Sequence, residues 1–140
     1  MHNLYIGLGS NLGDRENLIR EALRLIELNI GSIARTSRFI ETKPLGFQSE
    51  HLFLNAATHV VTTLTPHQCL AVTQHIERML GRTQKSKNGV YHDRPIDIDL
   101  LLYDDVHIND NELTLPHPRI EEREFVSVPL KEIRPQPNSL

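Results

Sequence analysis

Residues 96–103, "IDIDLLLY", alternate Ile96, Ile98, Leu100 and Leu102 with Asp97, Asp99, Leu101 and Tyr103. A period of two dictates a strand, because successive side chains of an extended chain point to opposite faces. The pattern predicts that the even-numbered set is buried and that Asp97 and Asp99 emerge together on the other face. Carboxylates placed so closely repel each other, and sinking them into apolar surroundings is costly. The chain must therefore fold so that this strand has one packed face and one that water and ligands can reach.

The remaining segments supply its partners. "NLYIGLG" (3–9) sets Leu4, Ile6 and Leu8 against Tyr5 and Gly7 and reads as a first strand. "SNLGD" turns the chain, Asp14 suits a helix N-cap, and Leu18, Ile19, Ala22, Leu23 and Ile26 form a helical stripe ending near Asn29 or Gly31. The β-branched content of 32–42 predicts a second strand and that of 52–64 a third, joined by the loop "KPLGFQSEH". Thr65, Pro66 and Gln68 have the spacing of a capping box with proline in the first turn. Cys69, Val72, Ile76, Met79 and Leu80 give that helix its buried stripe, and Gly81 ends it.

A stretch without apolar periodicity, 82–95, precedes the acidic strand; such a long connection is usually a functional loop. "DDVHINDNELTLPHP" reads as a short hairpin, 119–133 as a turn of helix followed by a strand or extended segment, and 134–140 as a frayed tail. The order βαββαβ is that of a ferredoxin-like α+β sandwich: an antiparallel sheet with two helices on one face, the other face partly open, and C-terminal additions. With 140 residues, one domain over 1–140 is expected.

Composition narrows the function. The formal charge of −3 disfavours a general nucleic-acid partner. No apolar run is long enough to span a membrane, and the start "MHNLYIGLGSNLGD" lacks the pattern of a signal peptide, so no membrane association and a cytoplasmic location are expected. The single Cys69 suits a reducing compartment, and a monomer is expected. Local charge runs against the total: Arg78, Arg82, Lys85, Lys87 and Arg94 cluster just before the acidic strand. Such a cluster is either a solvated loop or an anion site.

Paired carboxylates beside a basic loop suit Mg²⁺ held jointly by protein and nucleotide phosphates, although a solvated acidic strand face has the same pattern. Phe53 and Asn55, on one face of the third strand, suit stacking on and reading a planar heterocycle, or equally a core Phe beside an edge Asn. Gly9 at a strand end permits close approach of a ligand. Gly7, Gly9 and Gly13 do not fit a dinucleotide fingerprint or a Walker A loop. The histidines show no zinc spacing; His117 stands apart in the Pro-flanked "LTLPHPR". No hydrolase nucleophile elbow is present.

Together "YIGLGSNLGD", "TKPLGFQSEHLFLNAA", "ERMLGR", "DRPIDIDLLLY" and "LTLPHPRIEEREFV" resemble, in order and over nearly the whole chain, the 6-hydroxymethyl-7,8-dihydropterin pyrophosphokinase family. The resemblance implies transfer of pyrophosphate from ATP to the hydroxymethyl group of the reduced pterin, with release of AMP. It implies two Mg²⁺ ions on Asp97 and Asp99, and catalytic-loop arginines at Arg82 and Arg94. Gln74, Glu77, Lys85, Arg94, His117 and Arg123 match the ATP side. Gly9, Thr42, Leu45, Phe53, Asn55 and Phe125 match the pterin pocket, the phenylalanines sandwiching the ring. This chain departs at Gln84, where some members have arginine, and at Lys43, Tyr91 and Pro118, where some have proline, tryptophan and tyrosine. A binding module without turnover, and a nucleotidyltransferase, are the competing readings; the distance between Ser10 and Asp97 weighs against the latter.

Overall fold

The computed structural model describes residues 1–43, 52–81 and 95–134. Strand β1 (His2–Ser10) leads through Gly13, at φ 74°, into α1 (Arg15–Asn29). Asp14 caps that helix by accepting the Asn17 backbone N–H at 3.2 Å. The segment expected as one strand over 32–42 is broken into β2 (Gly31–Thr36) and β3 (Ile40–Thr42), both antiparallel to β4 (Phe53–Thr62). Ser37 lies at the break, where its hydroxyl accepts the Ala57 N–H at 2.9 Å while its own N–H donates to the Ala57 carbonyl.

Helix α2 (Pro66–Met79) begins with the expected capping box: Thr65 N–H donates to Gln68 Oε1 at 2.9 Å and Gln68 N–H to Thr65 Oγ1 at 3.2 Å. Gly81, at φ 98°, follows its C-terminus in the left-handed conformation that glycine adopts without strain. Thr73 and Glu77 share the buried stripe with Cys69 and Ile76, whereas Met79, expected inside, is 55 % exposed.

The sheet runs β2-β4-β1-β5, with β5 (Asp97–Tyr103) at its edge and β3 beside β4. The hairpin β6 (Ile108–Asn109) and β7 (Thr114–Leu115) is present as expected. Leu4, Ile6, Leu8, Ala56, Val60, Ile98 and Leu100 pack beneath α1 and α2, forming the main core.

Two expectations are corrected. Residues 124–133 are not extended but form α3 (Glu124–Ile133), whose Val126, Leu130 and Ile133 pack on Tyr5, Ala57, Leu101 and Leu102. Their spacing is helical, and Pro129, although it cannot donate to the Phe125 carbonyl, is accommodated. The face opposite α1 and α2 is thus partly covered. Second, β5 carries one extra residue against β1: Ile6 pairs with Leu100 but Tyr5 with Leu102. This bulge at Leu101 reverses the alternation beyond it. Leu102, expected under the helices, joins the α3 side, and Tyr103 turns inward to donate from its hydroxyl to the Leu64 carbonyl at 2.6 Å.

Candidate active site

The register of three strands builds a trough on the α3 side of the sheet. Gly9 of β1 lies between Asn55 of β4 and Asp97 of β5; Gly7 lies between Ala57 and Asp99. Both central positions lack side chains, so the wall carrying Phe53 and Asn55 faces the wall carrying Asp97 and Asp99 across a backbone floor. A Cβ on Gly9 would stand 3.1 Å from Asn55 Oδ1 and 3.5 Å from Phe53 Cδ1. The floor has to be glycine for the Asn55 amide to keep that position.

Above the floor is a cavity of about 400 Å³, within the range of small-ligand sites. Gly9, Thr42, Phe53, Asn55, Asp97, Asp99, Arg123 and Phe125, all singled out from sequence, line it together. Thr42 stands opposite Phe53 in the β3–β4 pair, and its hydroxyl accepts from Asn55 Nδ2 at 2.7 Å. Phe125 enters from the first turn of α3, and the Arg123 guanidinium lies 5.7 Å from its ring centroid, a cation–π distance. The lining thus combines aromatic and aliphatic walls with two carboxylates and two guanidinium groups.

Sequence reasoning missed Gly7, Lys43, Leu101, Arg119 and Val126, which also line the cavity. Two glycines at i and i+2 of a strand were a readable signal for Gly7. Nothing local marked Arg119, whose guanidinium pairs with exposed Glu122 at 3.2 Å.

His117 is held near the acidic end without lining the cavity. Its N–H donates to the Leu101 carbonyl at 2.9 Å, on the outer edge of β5. Its Nδ1 accepts the Arg119 N–H at 3.2 Å, so the neutral ring carries its proton on Nε2. Burial and then the Arg123 charge hold the imidazole pKa below its usual value, with Asp97 pulling it the other way. Gln74 is half-buried on α2 and Glu77 is buried there, both away from the cavity lining. Leu45, Arg82, Lys85 and Arg94 lie outside the described residues, as do Gln84 and Tyr91.

The acidic pair can be tested as a cation site on its donors. Asp97 and Asp99 are half-buried on one face of β5 and border an open cavity. Among the described residues no group of three or more His, Cys, Asp or Glu side chains could close around an ion. A site with so few protein oxygens suits Mg²⁺, which keeps waters and takes its other ligands from phosphates, better than a cation needing a full protein cage.

A ferredoxin-like sandwich with a small-ligand cavity that joins aromatic rings and an amide to paired acids and arginines defines the class, a small-molecule-binding α+β domain. Similarity to known proteins makes this specific: the chain belongs to the 7,8-dihydro-6-hydroxymethylpterin-pyrophosphokinase (HPPK) family, which matches residues 5–135. It is 50% identical over 133 residues to 2-amino-4-hydroxy-6-hydroxymethyldihydropteridine pyrophosphokinase of Porphyromonas gingivalis, covering 94% of this chain and 90% of that one. The Bacillus subtilis protein of the same name is 42% identical over 135 residues, covering 95% and 79%. A Plasmodium falciparum HPPK-DHPS structure superposes with a TM-score of 0.77 at 17% identity. That match covers 99% of this chain but only 43% of the longer Plasmodium chain, and it supports the fold alone.

Proposed function

We infer that this chain transfers the pyrophosphoryl group of ATP to the hydroxymethyl group of 6-hydroxymethyl-7,8-dihydropterin, releasing AMP, as a step of folate synthesis. The observation that carries the reading is the row Asn55–Gly9–Asp97: one register line sets the Asn55 amide and the Asp97 carboxylate on opposite sides of a bare glycine. A pterin lying over Gly9 between Phe53 and Phe125 is stacked by the rings and read along its edge by Asn55. Its hydroxymethyl group then points toward Asp97 and Asp99.

The acids suit two Mg²⁺ ions. When bound, these ions supply positive charge to the phosphate chain and relieve the repulsion between the carboxylates. The chain's own residues contribute positioning and charge. Arg123 and Arg119, on the cavity wall, would act on the phosphates, and His117, behind that wall with its proton on Nε2, would offer a hydrogen-bond donor to them. Arg82 and Arg94, by family resemblance, act from the loop on the charge that develops as the β-phosphorus is attacked in line. Positioning and cationic stabilisation account for most of the catalysis of such a transfer.

The test is incubation of protein, ATP, Mg²⁺ and hydroxymethyl-dihydropterin while following AMP. AMP together with pyrophosphorylated pterin is the expected result, dependent on Mg²⁺. Pterin binding without AMP would instead identify a binding module.

A further inference from the structure

Glu77 is 3 % exposed, on the side of the sheet covered by α1 and α2, among Cys69, Thr73 and Ile76. Burying a carboxylate costs several kcal/mol unless strong hydrogen bonds offset it, so an uncharged residue is the default at such a position. Its Oε2 accepts the backbone N–H of Ile98 at 2.9 Å. Ile98 is the residue between Asp97 and Asp99, on the edge strand. Its N–H belongs to the peptide that joins Asp97 to Ile98, so whatever holds this group fixes the backbone from which the first carboxylate projects.

We infer that Glu77 is a positioning residue for the acidic pair: from the covered face it clamps the Asp97–Ile98 peptide and so sets the direction in which Asp97 and Asp99 present their oxygens to a divalent cation. The inference rests on the pyrophosphokinase reading above and replaces a direct nucleotide contact for Glu77. Among the described residues β5 has no strand on its outer side to hold its peptides. Groups from outside the sheet act on its backbone instead, among them Glu77 at the Ile98 N–H and the His117 N–H at the Leu101 carbonyl. A carboxylate acceptor makes a hydrogen bond roughly twice as strong as a neutral one.

The experiment compares wild type, Glu77→Gln, Glu77→Ala and, as a reference, Asp97→Asn. Mn²⁺ affinity is read by electron paramagnetic resonance with a non-hydrolysable ATP analogue present, and AMP formation is followed with ATP and with GTP. Glu77→Gln, which keeps the shape and an oxygen acceptor and is expected to fold, should weaken Mn²⁺ binding by about tenfold, as loss of a group supporting metal ligands typically does. The half-activating Mg²⁺ concentration should rise in proportion, with the preference between ATP and GTP unchanged. Glu77→Ala should lose at least as much where it folds.

Unchanged Mn²⁺ affinity in folded Glu77→Gln overturns the proposal. So does a lowered melting temperature without any shift in Mn²⁺ affinity, which marks a purely structural role. A changed ATP-to-GTP preference overturns it in favour of nucleotide contact. Wild type that binds Mn²⁺ but forms no AMP would defeat the pyrophosphokinase reading while the Mn²⁺ comparison still decides the role of Glu77.

Discussion

Asn55 donates from Nδ2 to the Thr42 hydroxyl at 2.7 Å. One of the two amide hydrogens is used in that bond, and Oδ1 stands over Gly9, where an added methyl would meet it at 3.1 Å. Thr42 thus anchors the amide at the edge of the pocket floor. Thr42→Val removes the acceptor without changing the side-chain shape. It should raise the dissociation constant for the pterin about fivefold, the worth of one ordinary hydrogen bond, while Thr42→Ser stays near wild type. Fluorescence titration with the pterin checks this.

Gly9 and Gly31 separate binding from folding. Gly9→Ala meets the movable Asn55 amide and Phe53 ring, so it should weaken pterin binding with little change in melting temperature. A Cβ on Gly31 would lie 2.0 Å from the Val61 carbonyl oxygen, a backbone atom that cannot yield locally. Gly31→Ala should therefore cost about 3 kcal/mol or more, read as a lower denaturation midpoint.

Asp97→Asn or Asp99→Asn should nearly abolish AMP formation while leaving stability equal or slightly raised, since one of two repelling charges is removed. Paired thermal melts and AMP assays measure both. Turnover near wild type in either variant would remove the basis for placing the cation on this pair.

Cys69 is fully buried, and burial pushes its thiol pKa up to about 11. The thiolate is the reactive form. In the folded protein at about pH 8 the thiol should therefore resist a thiol-exchange reagent and react once denaturant is added, with the single cysteine giving a single release. Rapid reaction in the native state would show that α2 opens readily.

His59 stacks on Tyr5 at 4.5 Å and bonds to Asn3, and burial followed by the Arg35 charge lowers its pKa. The unfolded imidazole titrates near its ordinary value of about 6.5, so below that pH the unfolded state binds more protons than the folded one. This contribution to stability is present above about pH 6.5 and lost as the pH falls through the folded pKa. Denaturation midpoints measured across the acid range should decline, and His59→Gln should flatten that decline.

Features written within a few residues were legible before any folding was considered. Asp14 and the Thr65/Gln68 pair capped their helices as read, Gly81 ended α2, and the alternation from Ile96 to Leu100 set Asp97 and Asp99 on one face. The ordered motifs carried the family. Tertiary structure decided the rest, because adjacency across a sheet depends on partners far along the chain. Only the register of β1 with β4 and β5 put Gly9 between Asn55 and Asp97, and only the pairing of Ile6 with Leu100 and Tyr5 with Leu102 exposed the bulge that turned Tyr103 inward. Helix α3, expected as a turn of helix and then a strand or extended segment, has Val126, Leu130 and Ile133 on the apolar surface formed by Tyr5, Ala57, Leu101 and Leu102, partners far along the chain. Arg119 had no local mark, and Glu77 acquired its place under Ile98 from the packing of α2 against the edge strand of the sheet.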